Sequence, residues 1–203
     1  MTTHPVTGLY DTYAAAEQTV RDLKAANIPD SEISLIANKS GEPDDHTNGA
    51  AAGAGTGAAV GGAVGAGAGI LTGLGLMAIP GVGPVVAAGW LVATAVGAIA
   101  GAGAGAATGG IIGALTDTGM SHEHAHFYAE GVRRGGTLVT ARVDESRVAV
   151  VEDIMRRHGR VDHVAREKAY RDSGWRSFDE QGAPYSRDQI VQGRTLYGNP
   201  PTF

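Results

Sequence analysis

Apolar positions change their spacing several times along this chain, and each change marks an element. Val6 to Tyr10 is a short apolar run and predicts a strand, after which Asp11-Thr12 offers an N-cap. Tyr13 to Ala26 predicts a helix with Ala16, Val20 and Leu23 along one face. Asn27 suits the left-handed position at its end, and Ile28-Pro29-Asp30 stops it. Glu32 to Ala37 predicts a second strand, Ile33 and Leu35 alternating with Ser34 and Ile36, and Asn38 to Asn48 is polar and turn-rich. Ser121 is an N-cap candidate for a short helix to Arg134, ended by Gly135-Gly136. Thr137 to Val143 is the clearest strand, with Leu138, Thr140 and Arg142 on one face and Val139, Ala141 and Val143 on the other. Asp144 then caps a helix whose stripe is Val148, Val151, Ile154, Met155 and His158; Gly159 ends it, and Val161 to Ala165 predicts a last short strand.

Between these two halves lies a stretch of another kind. From Asn48 to Thr116 no side chain is charged, and Gly, Ala and Val dominate. Two ladders of glycine at a spacing of four run through it: Gly53, Gly57, Gly61, Gly65, Gly69 and Gly73, then Gly97, Gly101, Gly105, Gly109 and Gly113. Glycine inside a helix costs roughly 1 kcal/mol relative to alanine, so this many rungs need an offsetting gain. Close approach of two backbones, with dispersion and Cα–H···O contacts, supplies one. A repeat of four drifts by about 40° per rung around a helix of 3.6 residues per turn, so one partner helix cannot follow the stripe. The ladders therefore predict a homo-oligomer. Ile79-Pro80-Gly81-Val82-Gly83-Pro84 cannot be regular helix, and it predicts the turn of a hairpin of two long helices, with Pro80, Gly81, Gly83 and Pro84 as turn residues. A flexible Gly/Ala linker is the plain alternative; strict spacing and the lack of Ser and charge weigh against it.

The order strand, helix, strand, strand, helix, strand is that of a split βαβ sandwich. The expected fold class is thus α+β and ferredoxin-like, one antiparallel sheet with two helices on one face. The glycine-rich helical hairpin is inserted between the second and third strands, which requires its two ends to emerge near each other. Residues 1–40 form the first half of the domain, 41–48 a linker, 49–117 the hairpin, 118–165 the short helix and second half, and 166–203 a polar, aromatic tail.

Composition bounds the setting. The chain has 203 residues and a formal net charge of −5, with no long basic run, which argues against nucleic acid as a partner. The absence of cysteine excludes disulfides and thiol chemistry. Met1-Thr-Thr-His-Pro lacks the pattern of a signal peptide, so a cytoplasmic start is expected. The tip of the hairpin, Ile70 to Ile99, is its greasiest part, and each arm would measure about 45 Å against a hydrocarbon core of about 30 Å. A lipid bilayer is therefore an expected partner, with a cytoplasmic head and a hairpin peripheral to or integral in an inner membrane. Asp44, Asp45 and Asp117 flank the hairpin where the positive-inside rule asks for Lys or Arg, and this keeps a soluble shell or filament as the alternative.

Candidate chemistry is sparse. His122, His124 and His126 form an H-x-H-x-H run, and on a helix His122, His126 and Glu130 share a face with the makings of a divalent-metal site. One helix cannot close such a site by itself, so a solvated face is the better reading and no metal ligand is assigned, though a small-ligand or metal-binding regulator stays as a further alternative. Gly101, Gly103 and Ala106 fit the loose dinucleotide pattern, but no strand precedes them. No phosphate loop or nucleophile elbow occurs. Arg133 and Arg134 suit anionic headgroups at the hairpin's base, although a solvated pair before a turn is the commoner case. Trp90 fits either an interface or an apolar core, and the tail's Trp175, Phe178, Tyr185 and Tyr197 beside arginines suit an intersubunit contact. No catalytic residue and no cofactor is expected.

Three runs carry a resemblance. Gly8-Leu-Tyr-Asp-Thr with Ala16-Glu17 and Leu23, the segment Ala78 to Gly89, and Ala125 to Val143 with Tyr128, Glu130-Gly131-Val132, Arg134-Gly135-Gly136 and Leu138-Val139 are together similar to the bacterial heat-induced general stress protein family (the 17M-like domain). The resemblance covers roughly residues 5 to 165, leaving out the tail. It implies a stress-induced bacterial protein without established catalytic residues. The expected function is non-enzymatic self-assembly through glycine-zipper hairpins.

Overall fold

Among the described residues the chain forms five strands: β1 (Thr3–Tyr10), β2 (Ile33–Asn38), β3 (Gly75–Ile79), β4 (Gly83–Ala88) and β5 (Thr137–Asp144). They form one antiparallel sheet in the order β1-β5-β2-β4-β3, in a mixed α/β structure. The computed structural model describes residues 3–41, 75–79, 81–94 and 109–196. β5 lies at the centre of the first three strands, pairing Thr7 with Thr140 on one side and Leu35 with Val139 on the other.

The helices are α1 (Tyr13–Ala25), α2 (His122–Arg133), α3 (Glu145–Arg157), α4 (His163–Asp172) and α5 (Arg187–Leu196). Their ends follow local chemistry. Thr12 accepts a hydrogen bond from the Ala15 amide and Ser121 one from the His124 amide, so both act as N-caps. Asn27 closes α1 at φ 60°, and Gly135 and Gly159 close α2 and α3 at φ 89° and 77°. Asp144 stands at the N-cap of α3 without a side-chain bond to it.

Helices cover both faces of the sheet, not one as the sequence suggested. On the first face Val139, Ala141 and Val143 of β5 pack with Ile33 and Leu35 of β2 against Ala16, Val20 and Leu23 of α1 and Val151, Ile154 and Met155 of α3. On the second face Leu138 and Ile36 pack with Ala125, Ala129 and Val132 of α2, and with Ile111, Ile112 and Leu115 of the helical stretch Gly109–Gly113 and its continuation Ala114–Thr116. Two covered faces explain why β5 is buried from Thr137 to Ala141, with no polar alternation left to read.

Two expected elements are different. The residues around Ile79–Pro84 are not helical arms: Gly75–Ile79 and Gly83–Ala88 are strands of a β-hairpin, and β4 pairs with β2 from Leu35–Ala88 to Asn38–Val85. Composition in Gly, Ala and Val leaves helix and strand close in energy, and ladder bonds to β2 decide for strand. Val161 to Ala165 is not a fourth strand. Val161 donates one bond to the Leu9 carbonyl at 2.8 Å, then Asp162 accepts from the Ala165 amide at 2.9 Å and starts α4. An N-cap bond here outweighs a strand that had only two valines to bury.

Candidate functional site

Of the assembly glycines, Gly53, Gly57, Gly61, Gly65, Gly69, Gly73, Gly97, Gly101 and Gly105 lie outside the described residues, as does Pro80 of the turn. The chain departs from helical geometry at Gly110, and beyond that break Gly113 stands on the turn whose Ile111, Ile112, Ala114 and Leu115 are buried in the second core. The end of the second ladder is therefore rooted in the head.

The turn itself is formed as expected, between strands. The Val82 amide bonds the Ile79 carbonyl at 3.1 Å, and Gly81 and Gly83 take φ of 74° and 95°. Both glycines are also overlaid: a Cβ on Gly81 would meet the backbone of Asp179 and Glu180, and one on Gly83 would meet Pro184. Asn38 ties this turn to α2. Its amide nitrogen donates to the carbonyls of Val132, Arg133 and Val82 at 3.0, 3.2 and 3.4 Å, and its oxygen accepts from the Ser40 amide. One buried side chain thus joins carbonyls at the end of α2 to the turn.

The histidine run does not converge. His126 Nδ1 accepts from the Phe178 amide at 3.2 Å, while His122 and His124 are exposed and His124 meets the edge of His163. Glu130 is turned inward, 1 % exposed, where Arg134 Nε bonds it at 2.6 Å and Arg133 Nη1 lies at 3.6 Å. So the His122, His126 and Glu130 face is dispersed, and among the described residues no group of three metal-ligating side chains occurs.

Arg133 and Arg134 are not held out to solvent or lipid. Arg134 lies 4.4 Å from the Tyr170 ring and 5.6 Å from Tyr185; Arg133 lies 4.9 Å from Tyr185 and donates to the Ala183 carbonyl at 2.8 Å. Their partners belong to the tail, which folds back on its own head. Phe178 enters the second core, Ile190 packs on Gly135, and Arg166 holds Asp11 in a bidentate pair at 2.7 and 2.8 Å. Burial works against the Arg166 charge, and the bonds to Asp11 outweigh it, so its pKa is raised. Trp90 is also settled: its indole donates to the Glu32 carbonyl at 3.2 Å, and Arg142 sits 4.2 Å over its ring.

A feature the sequence did not signal lies at the β1 edge. A groove of about 640 Å³ runs along that strand between α2 and α3. His4, Thr7, His124, Tyr128, Glu145 and Glu152 line it with Met120 and Val148, and Arg160 stands at one end. Burial raises the Tyr10 hydroxyl to about 12 and raises that of Tyr128, although Arg160 pulls both down. Only non-local packing brings these residues together, so no window of sequence contains the signal.

Comparison with known proteins finds no matching family model, curated protein or solved structure. Among the described residues no helix is long and apolar enough to cross a membrane.

Proposed function

We propose that this is a non-enzymatic, stress-induced protein that assembles with copies of itself through its glycine ladders, in or on a membrane. In this reading β1, α1, β2, β5 and α3 keep the order of a ferredoxin-like split βαβ unit without its last strand, and the head is of the heat-induced general stress protein kind. The observation that carries it is the root of the second ladder: beyond a break in the helix at Gly110, Gly113 lies on a helical turn whose Ile111, Ile112 and Leu115 are buried in the core. A recognition stripe anchored to a packed unit can transmit a contact, which a linker cannot.

The test is replacement of Gly61 and Gly105 by Leu, followed by light scattering. Dissociation to smaller particles is expected, and an unchanged particle size refutes assembly through the ladders. Alkaline carbonate extraction of membranes separates the two settings: a protein released by carbonate belongs to a soluble or peripheral assembly and removes the integral-membrane part.

A further inference from the structure

We propose that the groove along β1 is a receptor for the C-terminal end of an extended peptide, which lies along the strand edge with its carboxylate on Arg160.

Among the described residues the edge is only partly closed. β1 pairs on one side with β5. The Leu9 carbonyl is bonded by Val161 and the Thr7 carbonyl by the Tyr128 hydroxyl at 3.4 Å, so odd-numbered residues of β1 direct their backbone groups away from β5. By the same alternation the N–H groups of Thr3 and Thr7 and the carbonyls of Thr3 and Pro5 face the groove. Residues of α2 and of α3 line the groove beside this row, so the exposed backbone groups lie in a slot with a helix on each side.

Arg160 closes the slot and is held there. Gly159 and Arg160 form the C-terminal turn of α3, with the Arg160 amide on the Met155 carbonyl at 3.1 Å and the Gly159 amide on Arg156 at 3.1 Å. The Arg160 stem lies where a side chain on Gly8 would be, 3.1 Å from the position of its Cβ. It is half-buried, and among the described residues it makes no ion pair and no side-chain hydrogen bond. A guanidinium so fixed is matched by a carboxylate, which it binds through two parallel hydrogen bonds. The α3 wall adds Glu145 and Glu152, which favour basic side chains further back along the ligand.

These features choose the occupant. With its carboxylate at the Gly8 end, the peptide runs parallel to β1, and this is strand addition with terminal-carboxylate capture. A second copy's β1 fits less well. It would bring another Pro5, lacking a donor, to the same short ladder, and it has no carboxylate to place on Arg160.

Fluorescence anisotropy of the full chain tests the proposal. The probe is a fluorescein-labelled hexapeptide of alternating lysine and valine with a free C-terminus; the same peptide as its C-terminal amide is the control. Binding of the acid form at least about tenfold tighter than the amide is expected, with that preference lost in Arg160→Met. Glu152→Lys should weaken both forms while the preference for acid persists, and hydrogen exchange at the Thr3 and Thr7 amides should slow on binding. No saturable binding up to about 1 mM, equal binding of acid and amide, or an acid preference retained in a folded Arg160→Met protein overturns the proposal. So does displacement of the peptide by hexanoate at equal concentration, because a small acid would then suffice.

Discussion

Replacing Glu130 by Ala should do more damage than any other single change in the second layer. Its carboxylate is 1 % exposed and holds Arg134 at 2.6 Å and Arg133 at 3.6 Å, while those two side chains are 17 % and 13 % exposed. Removing one partner of a fully buried ion pair costs about 3–5 kcal/mol, since the other charge stays desolvated. Here water reaches the guanidinium ends, so the lower end, about 3 kcal/mol, applies. For a chain of this size that corresponds to a fall in Tm of roughly 6–12 °C. The loss should extend to the tail, because the two arginines that Glu130 positions face Tyr170 and Tyr185. Urea unfolding followed by far-UV circular dichroism measures the first effect. The second is measured by a cycle with Tyr185→Ala, in which the two substitutions together should cost less than their sum. A loss under about 1 kcal/mol for Glu130→Ala, or strict additivity with Tyr185→Ala, would refute the reasoning.

Tyr10 gives a pH dependence. Its pKa is raised by burial from 10.0 to about 12, so its contribution is complete below pH 10 and is lost as pH rises toward 12. At 1.36 kcal/mol per unit the loss is about 2–3 kcal/mol, and the alkaline slope of the urea midpoint should flatten in Tyr10→Phe. Gly89 and Gly119 share nearly the same φ, 96° and 89°, but a Cβ on Gly89 would run into the Ile33 carbonyl and Ser34, whereas nothing lies within 4 Å of one on Gly119. Gly119→Ala should therefore cost only the backbone strain of about 1 kcal/mol and Gly89→Ala clearly more, as read by thermal unfolding; equal costs would dismiss the steric argument. Asn38→Ala removes the amide shared by the carbonyls of Val132, Arg133 and Val82 and should cost about 1–3 kcal/mol, with faster hydrogen exchange in β4.

What could be read in the sequence was local. Thr12, Ser121, Asn27, Gly135 and Gly159 end helices through bonds to residues a few positions away, and they stand where the chain suggested. Thr137 to Val143 was equally plain, because it is rich in β-branched residues and bounded by Gly136 and the cap at Asp144. The miss at Gly75–Ala88 has a non-local cause: the turn was visible, but the bonds from β4 to β2 reach across some fifty residues of chain. The tail was unreadable for a related reason. Its helices α4 and α5 bury only Tyr170 and Ile190, too few to make a stripe, and they are held by contacts with residues far off in the sequence, Tyr170 under Arg134 and Arg194 on the Gly135 carbonyl.

The β-hairpin changes what the ladders can be asked to do. A helical hairpin about Ile79–Pro84 would have let the two ladders of one molecule meet through their own connecting turn. That turn is instead engaged in the sheet, with β4 on β2 and the tail laid over Gly81 and Gly83. The first ladder's segment leaves the described head at Gly41 and rejoins it at Gly75; the second leaves after Thr94 and rejoins at Gly109. The bend at Ile79–Pro84 therefore joins two strands and not two helical arms. A stripe that drifts by about 40° per rung already asks for more than one neighbour. The proposed assembly of copies through the ladders predicts that Gly61→Leu and Gly105→Leu, introduced singly, should each reduce particle size. A single substitution that leaves the particle intact would mean that its ladder packs on its own head.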